Sequence, residues 1–150
     1  MDIKTETTYR QIYGWAENAV RPGGEFDWFA IDAEGKIAAF LTGGFGPIPD
    51  LFFGQGVESY LTLVDLIESR LGCSSAIHSG GFEPISERGL FAYDFKAMDS
   101  GRYEIAATPS DPITFFEVRK FGLSRNMFVE FSGRFEDCNQ IIPENFWNCR

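Results

Sequence analysis

Apolar and polar positions along this chain follow two periods, helical in two segments of the first half and strand-like in the hairpin between them and beyond Arg88. From Thr5 to Val20, the residues Tyr9, Ile12, Tyr13, Ala16, Ala19 and Val20 recur at helical spacing, which predicts an amphipathic helix with one apolar face. Arg21-Pro22-Gly23-Gly24 ends it. Two apolar runs follow, Phe26–Ile31 and Ile37–Leu41, joined by Asp32-Ala33-Glu34-Gly35. Short β-favouring runs around a Gly-containing turn predict a hairpin. Few of its positions are polar, so either both faces are covered or one face awaits a partner. The loop Gly43–Pro49 then needs a tight turn with positive φ.

A second helical stripe, Val57, Tyr60, Leu61, Val64, Ile67 and Leu71, predicts a helix over Val57–Leu71 that stops at Gly72. Glu58, Thr62, Asp65 and Ser69 form its opposite face, and Leu66 falls outside the stripe, on the solvent side. Beyond Arg88 the pattern becomes short aromatic and β-branched runs. Leu90–Phe95, Tyr103–Ala107, Ile113–Val118 and Met127–Phe131 read as strands, with turn chemistry at Ala97–Gly101 and Pro109–Pro112. Their close spacing predicts an antiparallel meander. Phe146 and Trp147 would dock the last segment. The fold expected is α+β: one domain over residues 1–150, a single antiparallel sheet of about five to six strands, and two packed helices.

Composition sharpens this picture. A chain of 150 residues buries roughly two-thirds of its unfolded surface, enough for a core without staples. Its 16 Phe make that core aromatic and β-weighted. The net charge of −9 disfavours nucleic acid and anionic membranes, and suits a basic protein partner. No apolar run approaches the ~20 residues that span a bilayer. Cys73, Cys138 and Cys149 are an odd number without a CxxC pair or a secretory leader, so the expectation is free thiols in the cytoplasm.

The chemistry sought in the motifs is sparse. Gly43, Gly44 and Gly46 precede no Gly-Lys-Ser/Thr, and Pro47 and Pro49 remove amide donors that an anion nest needs. His78 is the single histidine. A zinc site or a Cys-His pair would have to be built around it without any ligand spacing to support it. Asp32-Ala33-Glu34-Gly35 lacks the Glu at position twelve of a calcium loop, where Gly43 stands. No catalytic, cofactor or metal residue is therefore expected. An aromatic pocket around Trp28 and Phe45, serving a small enzyme or ligand-binding domain, stays open as an alternative, as does a regulatory interaction module.

D-W-F-A-I-D-A-E-G-K-I-A-A-F with G-G-F-G-P-I-P (Asp27–Phe40 and Gly43–Pro49), then R-G-L-F-A-Y-D-F and Y-E-I-A-A-T-P-S-D-P-I (Arg88–Phe95 and Tyr103–Ile113), resemble blocks of a group of small bacterial proteins. Such proteins are similar in type to immunity proteins encoded beside secreted or contact-delivered toxins. The resemblance implies a cytoplasmic protein that binds a cognate, basic toxin domain stoichiometrically, without catalysis. It hands over no catalytic residue, because Trp28, Asp32, Gly35, Gly44, Pro47, Gly89, Tyr93 and Asp94 look architectural. Partner-binding candidates are the acids Glu58, Asp65, Asp99, Glu136 and Asp137.

Overall fold

A computed structural model of the chain describes residues 1–19, 26–70 and 82–150, excluding the side chains of Ser69 and Arg70. Expectations placed on Cys73, His78, Val20 and the stop at Leu71-Gly72 lie outside the described residues. Helix α1 covers Ile3–Glu17. It begins earlier than its apolar stripe because Asp2 caps it, accepting from the Thr5 amide at 2.9 Å and from the Thr5 hydroxyl at 2.9 Å. Tyr9, Tyr13 and Ala16 are its buried face, whereas Ala19 is exposed.

Strands β1 (Asp27–Ile31) and β2 (Ile37–Leu41) form the expected hairpin. All five residues of β2 are buried, so both faces of the hairpin are covered. Asp32 organises the turn. Its Oδ1 accepts from the amides of Glu34 and Lys36, each at 2.9 Å, and its Oδ2 accepts from Phe135 N at 3.1 Å. The carboxylate is buried and fully employed as a splice between the hairpin and the C-terminal segment.

Helix α2 (Asp50–Phe53) and helix α3 (Val57–Asp65) follow, and α3 widens into a π-helical turn over Leu66–Arg70. Leu66 is buried, against expectation. The wider turn changes the angular phase of the face, and Leu66 turns inward together with Ile67. Leu63, also outside the predicted stripe, is buried as well, so the covered face of α3 is broader than one stripe.

Helix α4 (Glu83–Glu87) leads into β3 (Phe91–Phe95) and β4 (Tyr103–Ala107). Two-residue strands β5 (Val129–Glu130) and β6 (Gln140–Ile141) complete one sheet of order β5-β1-β2-β3-β4-β6. The α+β class holds, with six strands and five α-helical segments among the described residues. The sheet is mixed, however, and not antiparallel throughout. β2 pairs with β3, and β1 with β5, in parallel. The helical stretch between β2 and β3 is a crossover, and a crossover returns the chain parallel to the strand it left. The strand expected over Ile113–Val118 is instead one bridge, Lys36 to Thr114, followed by helix α5 (Phe115–Val118). The strand expected over Met127–Phe131 shrinks to β5, because a 3-10 turn occupies Arg125–Met127.

An aromatic ladder crosses the sheet centre. Trp28, Phe40 and Tyr93 stand side by side on β1, β2 and β3. Their rings stack at 4.0 Å (Trp28–Phe40) and 4.9 Å (Phe40–Tyr93). Trp28 Nε1 donates to Tyr103 Oη at 3.0 Å, and that hydroxyl donates to Pro47 O at 3.0 Å, tying the Gly-rich loop to the ladder. Gly43 and Gly44 have the positive φ that the sequence predicts. Gly46 serves a different need, since a Cβ there would lie 2.3 Å from Tyr103 Oη. Trp147 packs edge-on against Trp28, and Phe146 against Phe131, so the tail docks through the predicted pair.

Candidate binding surfaces

The five acidic candidates fall in three separate places. Glu58 lies in the first turn of α3 and is exposed. The Arg10 guanidinium grips it with two hydrogen bonds, at 2.7 and 3.1 Å, and reaches Glu6 one turn back on α1 at 2.7 Å. That bonding holds the Glu58 carboxyl below the usual carboxylate range and raises the arginine. Asp65 sits two turns along α3, partly exposed, with the Met1 amino group at 3.6 Å. Met1, Glu6, Glu58, Leu61, Thr62 and Asp65 line one shallow cleft of about 280 Å³.

Glu136 and Asp137 belong to the 3-10 turn Phe135–Asp137. Glu136 pairs with Lys36 and, at 3.3 Å, with Arg134, while Arg134 also reaches Asp137 at 3.7 Å and Glu34 at 2.9 Å. The Arg134 bond holds the Glu34 carboxyl below its ordinary value. Asp99 is exposed in the β3–β4 turn. Its field adds to that of Asp94, which bonds Lys96 at 3.0 Å, in raising the lysine. The structure thus unites Glu58 with Asp65 and Glu136 with Asp137, but it does not join these two pairs or bring Asp99 to either. In the Glu58 and Glu136 clusters partly exposed cations, Arg10 and Arg134 with Lys36, pair with the carboxylates and cancel part of their charge.

Two further features carry no acidic signature. Phe116 is 67% exposed with Arg119 4.0 Å over its ring, and Lys120 stands 5.3 Å from the centre of the Phe121 ring. Arg119 and Lys120 make no ion pair among the described residues. Of these residues only Phe116 lies in the segment read as a strand, Ile113–Val118; Arg119, Lys120 and Phe121 follow it in the sequence. The second feature is a groove of about 470 Å³ between the α2–α3 junction and the segment Arg125–Glu130. Leu51, Gln55, Asn126, Phe128 and Val129 are in its walls. Nothing in the sequence marks Gln55.

The structure does not bring Trp28 and Phe45 together as walls of one pocket. Trp28 has no exposed surface, and Phe45 is 75% exposed. Cys138 and Cys149 are free, half-buried thiols. Burial, aided by the charge of Glu144, pushes the Cys149 thiol up to about 11, and burial also raises Cys138, aided by Asp137. Raised thiols are poor nucleophiles at neutral pH. Among the described residues no helix is long and apolar enough to cross a membrane, and no cluster of His, Cys, Asp and Glu could hold a metal ion. No protein-family model, curated protein or solved structure matches the chain.

Proposed function

We propose that this chain is a cytoplasmic binding protein of the immunity type, which neutralises a basic bacterial toxin domain by stoichiometric capture. The observation that carries this reading is the cleft on α1 and α3. There Glu58, Glu6 and Asp65 converge, and Arg10 holds two of the three in fixed geometry. A carboxylate that is already ordered loses little further freedom when a partner's lysine or arginine arrives. Each keeps acceptor positions that an incoming cation can use. The net charge of −9 supplies long-range attraction to a basic partner, and the aromatic frame supplies a rigid support. The sequence blocks that resemble immunity-type proteins support the same assignment.

The test is surface-binding kinetics with the toxin domain encoded next to the gene, at low and high salt. Association should slow as salt rises, because attraction is screened over ~10 Å at 0.1 M, while dissociation changes less. Glu58→Gln with Asp65→Asn should lower the association rate and flatten its salt dependence. No complex, or an association rate indifferent to salt, would overturn the reading.

A further inference from the structure

Helix α5 runs into the 3-10 turn Arg119–Phe121, which closes at Gly122 with a φ of 88°. Buried Val118 and Leu123 pin this stretch to the body, and the Phe115 ring meets Phe128 edge-on at 6.1 Å. With those side chains turned inward, Phe116, Arg119 and Lys120, one helical turn apart, share the outward face. Phe116, Arg119, Lys120 and Phe121 are all exposed.

The two cations of this face hold no anion. Arg10, Arg125, Arg134 and Arg150 each bond a carboxylate, and Lys36 and Lys96 do so too. Arg119 and Lys120 make neither an ion pair nor a side-chain hydrogen bond among the described residues. Each stands over an aromatic ring instead. A ring face attracts the positive charge but does not use up the N–H donors as carboxylate oxygens do. It also steadies the cation, so less freedom is lost when an anion arrives. Glu117 is the one acid between Phe115 and Ser124, and it pairs with neither cation. The face is therefore a local positive excess with open donors, in a chain of 22 acidic and 13 basic residues.

We propose that Phe116, Arg119, Lys120 and Phe121 form a docking surface for a short acidic segment of a partner polypeptide. One carboxylate of that segment accepts two hydrogen bonds from the Arg119 guanidinium, a second accepts from Lys120, and an apolar side chain between them rests on the exposed phenylalanine rings. Charge decides the class of partner. Fields are screened over ~10 Å at 0.1 M salt, so a short segment responds chiefly to the cations beneath it. A nucleic acid or an anionic membrane extends well past them, meets the surface of a chain with net charge −9, and is repelled. This surface is separate from the acidic cleft and does not depend on the reading of that cleft.

The probe is the capped peptide acetyl-Glu-Asp-Phe-Asp-Glu-amide, titrated into the isotope-labelled protein and followed by nuclear magnetic resonance. Its amide counterpart, acetyl-Gln-Asn-Phe-Asn-Gln-amide, is the control. Backbone amides from Phe116 to Gly122 should shift, and the acidic peptide should bind about fivefold or more tightly than the control. Arg119→Gln with Lys120→Gln, both at exposed positions, should leave the amide spectrum elsewhere unchanged and lose about fivefold in affinity for the acidic peptide. Absence of shifts in this segment would overturn the proposal, as would equal binding of the two peptides or unchanged affinity in the double variant. Tighter binding of a thymidine oligonucleotide or of phosphatidylserine vesicles than of the peptide would assign the face to a polyanion and overturn it. Shifts that depend on protein concentration alone would assign it to a second copy of the chain and overturn it equally.

Discussion

The aromatic ladder and the β5 groove treat their polar atoms in opposite ways. In the ladder each buried donor is used: Trp28 Nε1 bonds Tyr103, Tyr103 bonds Pro47 O, and Tyr93 Oη bonds Cys138 O at 2.6 Å. In the groove, Gln55 has neither a donor nor an acceptor bond. Both regions bury apolar surface, yet only one is internally complete. A completed network stabilises the fold, while an incomplete one lowers stability. The contrast separates residues whose polar atoms close on one another from Gln55, whose polar atoms do not.

The sharpest break in the ladder is Trp28→Ala. It removes the ring stacked on Phe40 and the hydrogen bond that Trp28 Nε1 donates to Tyr103 Oη, and should cost about 3–5 kcal/mol in urea melts. A loss below about 1 kcal/mol would mean that the ladder is not the core of the fold. Gly46→Ala attacks the same region from outside. The new methyl meets Tyr103 Oη and its ring carbon, so the loop or the tyrosine must move, at a cost of about 1–3 kcal/mol. A neutral outcome would show that the Pro47–Tyr103 tie is loose.

Much of the ladder was legible in the sequence, and almost none of the groove was. The hairpin and Tyr103–Ala107 announced themselves because alternation and turn residues are local signals. The parallel pairing of β2 with β3 is not local. It follows from the helices lying between them, of which α3 was legible while its consequence for strand direction was not drawn. Phe115–Val118 misled because Phe and Val favour strands, whereas the amides of Glu117 and Val118 both bond back to Thr114 O as a helical turn. The acids Glu58, Asp65, Glu136 and Asp137 were visible as exposed charge, but the cations that hold them come from distant positions such as Arg10 and Lys36. Gln55 has no sequence signal at all, because its anomaly arises only from what surrounds it.

Gln55→Leu sharpens the comparison from the groove side. Replacing an orphaned amide with an apolar group of similar length removes an unsatisfied desolvation cost, so stability should rise by about 1–3 kcal/mol. The same exchange at a satisfied polar group lowers stability, which makes the sign of the change the informative result. A fall in the urea midpoint would mean that Gln55 is already satisfied in solution, and the groove would then resemble the ladder.

The smallest effect belongs to the acidic cleft, which lies between the two extremes: its polar groups are paired, but in solvent. Arg10→Gln frees Glu58 and Glu6 from their shared cation. The Glu58 carboxyl is held below its ordinary value of 4.5 in the folded chain, chiefly by its hydrogen bonds to Arg10. A depressed carboxylate stabilises the fold above its unfolded pKa, and that contribution disappears as pH falls through the folded value. The parent should therefore exceed Arg10→Gln slightly in urea midpoint at pH 7, and the gap should close as pH falls below 4.5 toward the depressed value. Added salt at pH 7 should narrow it as well, since exposed pairs are screened. A gap that persisted in acid or in high salt would mean that Arg10 stabilises the fold through packing of its stem against α3 and not through charge. The cleft would then belong with the ladder as a structural element, and its carboxylates would lose their claim to be organised for a basic partner.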